Sequence, residues 1–382
     1  MSGFSNKAAI VGIGQTEFSK NSGRSPLQLA AEASLAALDD AGLKPADVDG
    51  MVLFTVEDNE EGDLLNTLGV PGLSWAARVG LGGGGSAGAV FQAAAAIASG
   101  AAETVLIFRA FNERSESRFG QATSKPLSSY GWNGTGFNHL VWSLPFGVMT
   151  PAAMISMANL PYMNRYGVTN EDFGHYVVTA REYAATNPAA WYHGRPITIQ
   201  DHQASKWIVE PVVRLLDCCQ ESDGGAAIVL TSAARARDLK QRPAIVRGGA
   251  FDVRPSHTAL GLASREHLVA ERLYKSAGLG PKDMSLAMLY DAFTPEVFTQ
   301  TEAFGLCKPG EAKDFYRGGE ARITGAMPIN TNGGLIGEAY IHGMNQITEA
   351  VRQIRGTAAN QVTSVENVLV SSSGSAHILG RD

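Results

Sequence analysis

Ala41-Gly42-Leu43-Lys44-Pro45-Ala46-Asp47 and Ala277-Gly278-Leu279-Gly280-Pro281-Lys282-Asp283 are two copies of one phrase in a chain of 382 residues. Each follows a stretch with helical patterning, Leu27 to Leu38 or Glu266 to Tyr274. Each precedes a short apolar strand, Met51 to Phe54 or Leu286 to Leu289. The helices are themselves preceded by strand-like segments, Ala8-Ala9-Ile10-Val11 and Ala244-Ile245-Val246. Glycine closes a helix by turning left-handed, and the x-Pro-x-Asp stretch is expected to open the next strand. The copies stand about 236 residues apart, far beyond the period of a solenoid, so the phrase marks a duplicated domain. The division is expected at residues 1–235 and 236–382.

Strands alternating with helices predict an α/β fold with a mostly parallel sheet covered on both faces. Ala87 to Ile97 is a helix of very small residues, which can approach other backbone closely and reads as central and buried. Thr104 to Phe108 is the next strand, and Asp223-Gly224-Gly225-Ala226-Ala227-Ile228-Val229-Leu230 turns into a buried strand that closes the first half. Between about 112 and 210 the pattern changes. Aromatics, Gly, Ser and Asn crowd Tyr130 to Phe146, and helices are predicted at Pro151 to Tyr166 and Glu171 to Thr186. This stretch reads as an insertion folded over the first half, either as scaffold or as a wall of the substrate pocket.

Composition removes several classes of function. The formal net charge is -6, whereas proteins that grip phosphate backbones are usually basic, so nucleic acid is an unexpected partner. Cys218, Cys219 and Cys307 lack metal-ligand spacing, and adjacent Cys218 and Cys219 suit reduced thiols in a reducing compartment. The start of the chain lacks a charged segment followed by an apolar one, and no apolar run approaches the roughly 20 residues of a membrane span. A cytoplasmic location is expected.

Three loops hold candidate chemistry: Gly82-Gly83-Gly84-Gly85-Ser86, Tyr290-Asp291-Ala292-Phe293 and Gly337-Glu338-Ala339-Tyr340-Ile341-His342-Gly343. The glycine run has the frame of a nucleophile turn before a helix, with no cysteine in it. It is not a dinucleotide fingerprint, because so glycine-dense a stretch matches that pattern by default. Other landmarks are Val11-Gly12-Ile13-Gly14-Gln15-Thr16-Glu17-Phe18, Met149-Thr150-Pro151-Ala152-Ala153-Met154, Cys218-Cys219-Gln220-Glu221-Ser222-Asp223-Gly224-Gly225 and Asn330-Thr331-Asn332-Gly333-Gly334.

In this order and spacing, the landmarks resemble the thiolase superfamily, in its sterol-carrier-protein-type, lipid-transfer-protein branch, over nearly the whole chain. The resemblance implies the thiolase fold: duplicated βαβαβαββ halves in five layers, αβαβα, with an insertion or loop domain. Such thiolases carry a nucleophilic cysteine where this chain has Gly83, and histidines where it has Tyr290 and Tyr340. The C-terminal segment Val370 to Leu379 has no second cysteine, and Cys307 lies in no matching loop and reads as structural. Condensation or thiolysis through an acyl-cysteine is therefore excluded.

Within that branch the chain most resembles the steroid side-chain-cleaving aldolase subunit, whose two tyrosines match Tyr290 and Tyr340. The resemblance implies retro-aldol cleavage of a β-hydroxyacyl-CoA, a 17-hydroxy C22-type steroid CoA ester giving a 17-ketosteroid and propionyl-CoA. It also implies a homodimer and an OB-fold/zinc-ribbon partner protein required for activity. No cofactor is called for, since CoA belongs to the substrate, and no metal is called for. The rival reading is a non-catalytic acyl-CoA or sterol-binding scaffold with a decayed site.

A retro-aldol step needs a base for the β-hydroxyl, a site for enolate charge and an acid for the new Cα–H, but no nucleophile. An ordinary tyrosine has a pKa near 10 and is a better acid than base. Tyr340 is expected to be the base and Tyr290 its partner. The backbone N–H groups of Gly83 and Gly84, just before a helix N-terminus, are candidates to meet the thioester oxygen. His342 is a candidate substrate contact, and Asp291 either orients Tyr290 or caps its turn.

Overall fold

The repeated phrase has the same structure in both places. In the computed structural model, which describes residues 3–80, 82–116, 118, 120, 144–252 and 265–382, helix Pro26–Ala41 ends at Gly42 with φ 73°. Helix Arg265–Ala277 ends at Gly278 with φ 70°. Each copy continues into one 3-10 turn, Pro45–Asp47 or Pro281–Asp283. The turn's aspartate accepts a backbone N–H three residues back, Lys44 or Gly280, at 2.7 Å in both. Pro-x-Asp is thus a closed turn rather than the first residues of the next strand.

The strands are β1 (Ala8–Gln15), β2 (Gly50–Phe54), β3 (Trp75–Val79), β4 (Thr104–Asn112), β5 (Trp207–Val209) and β6 (Val213–Arg214). They continue with β7 (Asp223–Ser232), β8 (Ala244–Phe251), β9 (Leu286–Leu289), β10 (Asn367–Ser372) and β11 (Ser375–Gly380). Nine form one sheet in the order β3-β2-β4-β7-β1-β8-β11-β10-β9, while β5 and β6 form a small ribbon. Outward from the β1–β8 junction, where Ala9 faces Ile245 and Ile10 faces Ala244, the two halves run through corresponding strands. β7 corresponds to β11, β4 to β10 and β2 to β9.

The expectation of a mostly parallel sheet needs one correction. β1, β2, β3 and β4 share a direction, but the reversed strand β7 stands between β1 and β4 and pairs antiparallel with both. β11 does the same between β8 and β10. A chain that ends each half with a hairpin-like return converts parallel neighbours into antiparallel pairs.

Alternate residues of the strands feed two different cores, because side chains switch faces along a strand. Ala9, Val11, Met51, Leu106 and Val229 meet the outer helix Pro26–Ala41. Ile10, Val52, Ile107 and Ile228 meet the central helices Ser86–Ser99 and Met344–Arg355. On the other side Ala287, Leu289, Leu369 and Ile378 pack with Val269 and Leu273 of the second outer helix. The layers therefore run helix, one half of the sheet, central helices, the other half of the sheet, helix. Each such aliphatic side chain contributes about 1.5–3 kcal/mol by leaving water.

Met344–Arg355 has no counterpart in the sequence reading, since its Asn345, Gln346, Glu349 and Gln353 look like a solvated face. All four are buried. The insertion supplies helices Pro151–Tyr166 and Asn170–Thr186 where helices were expected. The second opens with Thr169, whose N–H and hydroxyl both donate to Asp172 (2.8 and 2.9 Å), and buries Phe173, Tyr176, Val177 and Ala180 in the second half's core. Most of the aromatic stretch, residues 130–143, lies outside the described residues. Among the described residues, no helix is long and apolar enough to cross a membrane.

Candidate active site

Three chain segments meet where the sheets' ends open beside the central helices. The loop after β9 brings Tyr290, the loop before helix Met344–Arg355 brings Tyr340, and the turn before helix Ser86–Ser99 brings Gly83. The two phenol oxygens are 2.7 Å apart and both side chains are buried. A Cβ on Gly83 would collide with the Tyr290 hydroxyl and lie 2.6 Å from its Cζ. The Tyr290 phenol thus occupies the space a nucleophilic side chain would need. Glycine at 83 and tyrosine at 290 are thus coupled through packing.

A strand-like stretch holds the two tyrosine loops together. Cys219 N–H donates to the Ala292 carbonyl (2.9 Å), Gln220 N–H to Leu335 (2.9 Å), and Tyr340 N–H to Gln220 (3.1 Å). Asp291 does not orient Tyr290. Its carboxylate instead accepts from the Tyr176 hydroxyl (2.6 Å), the Leu335 N–H (2.8 Å) and the Gln346 amide (3.0 Å). Burial raises its pKa to about 7. Asn330 donates to Tyr176 (2.6 Å) and to the Leu289 carbonyl (2.8 Å), welding the Asn330–Gly334 loop to β9.

The Tyr340 loop is anchored by Glu338. Its buried carboxyl accepts from the amides of Asn187 (3.0 Å), Asn332 (2.5 Å) and Asn345 (2.7 Å). One amide comes from the end of the insertion's helix, one from the Asn-Thr-Asn loop and one from the central helix. Burial still raises this carboxyl's pKa, against the pull of Arg352 and the three amides.

His342, at φ 49°, stacks edge-on to Tyr340 with ring centres 5.0 Å apart. Its Nδ1 accepts from Nε of Arg109 at 3.0 Å. A guanidinium only donates, so the neutral imidazole carries its proton on Nε2. Burial first, and the Arg109 charge second, hold its pKa well below the usual histidine range. Arg109 is itself buried in β4 and paired with buried Glu57 at 2.9 Å.

Burial pushes both phenols well above the ordinary tyrosine range. For Tyr290, the Glu296 charge adds to this and the hydrogen bond with Tyr340 works against it. For Tyr340, the Tyr290 neighbour raises it further. Burial likewise lifts Cys219 well above its normal pKa, and Cys218 and Cys307 to about 12, so these thiols stay protonated and poorly nucleophilic. The Gly84 carbonyl accepts the Gly374 N–H at 3.3 Å, tying the glycine turn to the β10–β11 hairpin.

Of the residues singled out in the sequence, Tyr290, Tyr340, Gly83 and His342 meet, and Gly84 lies one peptide away. Not singled out were Arg109, Tyr176, Glu338 with its amides, and Gln346. Arg109 left a signal: an arginine inside the apolar run Thr104–Asn112 must find a buried partner. Among the described residues no group of histidine, cysteine, aspartate and glutamate is arranged to hold a metal ion.

Residues 259–378 match the thiolase C-terminal domain-like family. The chain is 50% identical to the steroid side-chain-cleaving aldolase of Thermomonospora curvata over 100% of both chains. It is 49% identical to the 17-hydroxy-3-oxo-4-pregnene-20-carboxyl-CoA lyase of Mycobacterium tuberculosis over 96% of each. A solved Ltp2-ChsH2(DUF35) aldolase superposes with a TM-score of 0.92 at 49% identity, covering 100% of this chain and 99% of that one. Human mitochondrial 3-ketoacyl-CoA thiolase in complex with CoA shares the fold, with a TM-score of 0.71 at 15% identity over 99% and 98% of the chains. The chain belongs to the thiolase superfamily, in the sterol-carrier-protein-type branch that includes the steroid side-chain-cleaving aldolases.

Proposed function

We propose that this chain is a carbon–carbon lyase that performs retro-aldol cleavage of a steroid CoA ester. The observation that carries this reading is the Tyr290–Tyr340 phenol pair, 2.7 Å apart, with Gly83 beneath it and no room for a nucleophile. The two curated relatives at about half identity are named as an aldolase and a lyase of this kind. The second is named for a 17-hydroxy-3-oxo-4-pregnene-20-carboxyl-CoA substrate, and cleavage of a CoA ester of that class, with the side chain leaving as propionyl-CoA, is the reaction proposed here.

In the reaction the β-hydroxyl proton leaves, the Cα–Cβ pair moves toward the thioester, and Cα takes a proton. Tyr340 is proposed as the base that takes the hydroxyl proton and Tyr290 as its partner, the hydrogen bond between them passing the proton since either phenol can donate in it. The N–H groups of Gly83 and Gly84, at the positive end of helix Ser86–Ser99, meet the enolate oxygen, and loss of one such donor costs about 3 kcal/mol in the barrier. His342, a neutral Nε2–H donor, contributes to substrate binding. By likeness to the solved aldolase, a DUF35 protein, the OB-fold/zinc-ribbon partner, joins a homodimer of this chain in the active assembly.

The test is cleavage of 17-hydroxy-3-oxo-4-pregnene-20-carboxyl-CoA by the co-expressed complex. Wild type releases propionyl-CoA, and Tyr290→Phe and Tyr340→Phe each lose about 100-fold or more in kcat. Full activity in both variants removes the mechanism.

A further inference from the structure

A buried ion pair stands behind His342. Every residue of β4 is buried, and Arg109 lies among Leu106, Ile107, Phe108, Ala110 and Phe111. A buried pair of charges often contributes no more stability than apolar side chains of the same volume, so its place in this strand calls for a use. The guanidinium is fixed from several sides. Its Nη1 donates to Glu57 at 2.9 Å and to the Ala110 carbonyl at 3.3 Å, and its central carbon lies 4.2 Å from the centre of the Phe111 ring. Glu57, just past β2, accepts in turn from the Asn59 amide at 2.6 Å and the Ala110 N–H at 3.3 Å. Nε of Arg109 donates to Nδ1 of His342 at 3.0 Å, across 233 residues of sequence. The His342 ring sits between Phe111 and Tyr340, its centre 5.0 Å from each. Its Cε1 lies 3.9 Å from where a Cβ on Gly82 would stand, so this edge faces the glycine turn. Among the described contacts, the charged or titratable groups against the ring are Arg109 from β4, backed by Glu57, and Tyr340 from its own loop.

Resting on the lyase reading above, we infer that Arg109, braced by Glu57, is a positioning residue that fixes His342 in one tautomer and so makes it a permanent hydrogen-bond donor to the CoA ester. A neutral imidazole can exchange donor and acceptor between its two nitrogens. A guanidinium only donates, so here Nδ1 must accept and the proton must stay on Nε2. The same contact bars Nδ1 from taking a second proton, which keeps His342 out of the proton traffic of the neighbouring phenols. Packing between Phe111 and Tyr340 then sets where the donor stands. His377 shows the opposite wiring. It is also buried, but its Nδ1 faces the Ala87 carbonyl at 3.3 Å, which can only accept, so its proton is on Nδ1. Arg109 acts through His342 and not on the substrate itself.

The experiment isotope-labels the histidines of the chain in complex with the partner protein and reads their tautomers by long-range proton–nitrogen correlation. His342→Gln assigns the signal, and His377 serves as the reference for the opposite tautomer. Each spectrum is paired with kcat/KM for the steroid CoA ester. Wild type is expected to hold His342 with its proton on Nε2 and none on Nδ1 between about pH 5 and 8. The double variant Glu57→Gln/Arg109→Met leaves no stranded charge. It should spread the proton over both nitrogens and lower kcat/KM about 100-fold. Arg109→Lys keeps a donor for His342 and a charge for Glu57, and should restore the Nε2–H form with most of the activity. A wild-type His342 protonated on Nδ1 overturns the inference, as does a double variant that keeps the pure Nε2–H form. So does activity that fails to follow the Nε2–H fraction across the three proteins, a readout that a merely structural role would not move. Should the double variant not fold, wild type and Arg109→Lys decide by the same rule. If the tautomer responds as expected but wild type cleaves no CoA ester, the lyase reading fails and the positioning stands.

Discussion

The two central helices occupy equivalent places in the two halves and do opposite work. Ser86–Ser99 is almost all alanine, glycine and serine with a few larger apolar residues, and lies smoothly between the sheets. Met344–Arg355 sits beside it equally buried, yet it carries Asn345, Gln346, Glu349 and Gln353 into the interior. Each of these amides or carboxyls is committed to a neighbour: Asn345 to Glu338, Gln346 to Asp291, and Glu349 and Gln353 to Thr331. The first helix clears space and starts from a glycine turn with no reactive group. The second is a wiring post that fixes the loops bearing Tyr290 and Tyr340. Duplication supplied two like frames, and function divided them into a vacated side and an equipped side.

Substitutions can break or sharpen this contrast. The largest effect is expected where the vacated side touches Tyr290. Gly83→Ala must displace the Tyr290 phenol, so kcat for the CoA ester should fall about 100-fold or more while the circular dichroism spectrum is unchanged. Gly83→Cys should be equally inactive and should not become acylated, as intact-protein mass spectrometry would show. A thioester adduct on that variant would mean that space for a nucleophile exists after all.

Next come variants of the equipped side. Asn345→Ala leaves the Glu338 carboxyl short of a donor, which should cost about 1–3 kcal/mol in urea unfolding and lower kcat with it. On the smooth helix, Ala93→Val should cost about 1–3 kcal/mol through overpacking with kcat nearly preserved. If the two variants lost activity in the same proportion to stability, the division of labour would be wrong.

The smallest effect concerns pH. Asp291 has a native pKa of about 7 against an ordinary value of 3.8, raised by burial. The native state therefore binds the proton more tightly than the unfolded chain, and this contribution to stability is present below pH 3.8 and lost as pH rises toward 7. Asp291→Asn should flatten the dependence of Tm on pH across that window, measured by calorimetry. An identical slope in wild type and variant would show that Asp291 is not buried in this way.

The contrast also explains what the sequence disclosed. The repeated Ala-Gly-Leu phrase exposed the duplication because a helix cap and a Pro-x-Asp turn are local devices, written in consecutive residues. Tyr290, Tyr340 and Gly83 were legible because each stands in a loop whose surroundings match a thiolase while its own residue does not. Helix Met344–Arg355 was opaque, since buried amides mimic a surface face and their partners lie far away in sequence. Tyr176 and Asn187 were hidden for the same reason: they reach Asp291 and Glu338 across 115 and 151 residues. The reversed strands β7 and β11 were missed as insertions into the sheet order because pairing direction depends on topology and not on composition.

The account stands or falls on the two phenols acting as one proton-transfer unit. The most direct measurement is a double-mutant cycle on propionyl-CoA release by Tyr290→Phe, Tyr340→Phe and the double variant. Residues that share one step are strongly non-additive, so the double variant should match the worse single variant within about 3-fold. Losses that simply multiply, or a single variant with wild-type kcat, would contradict it.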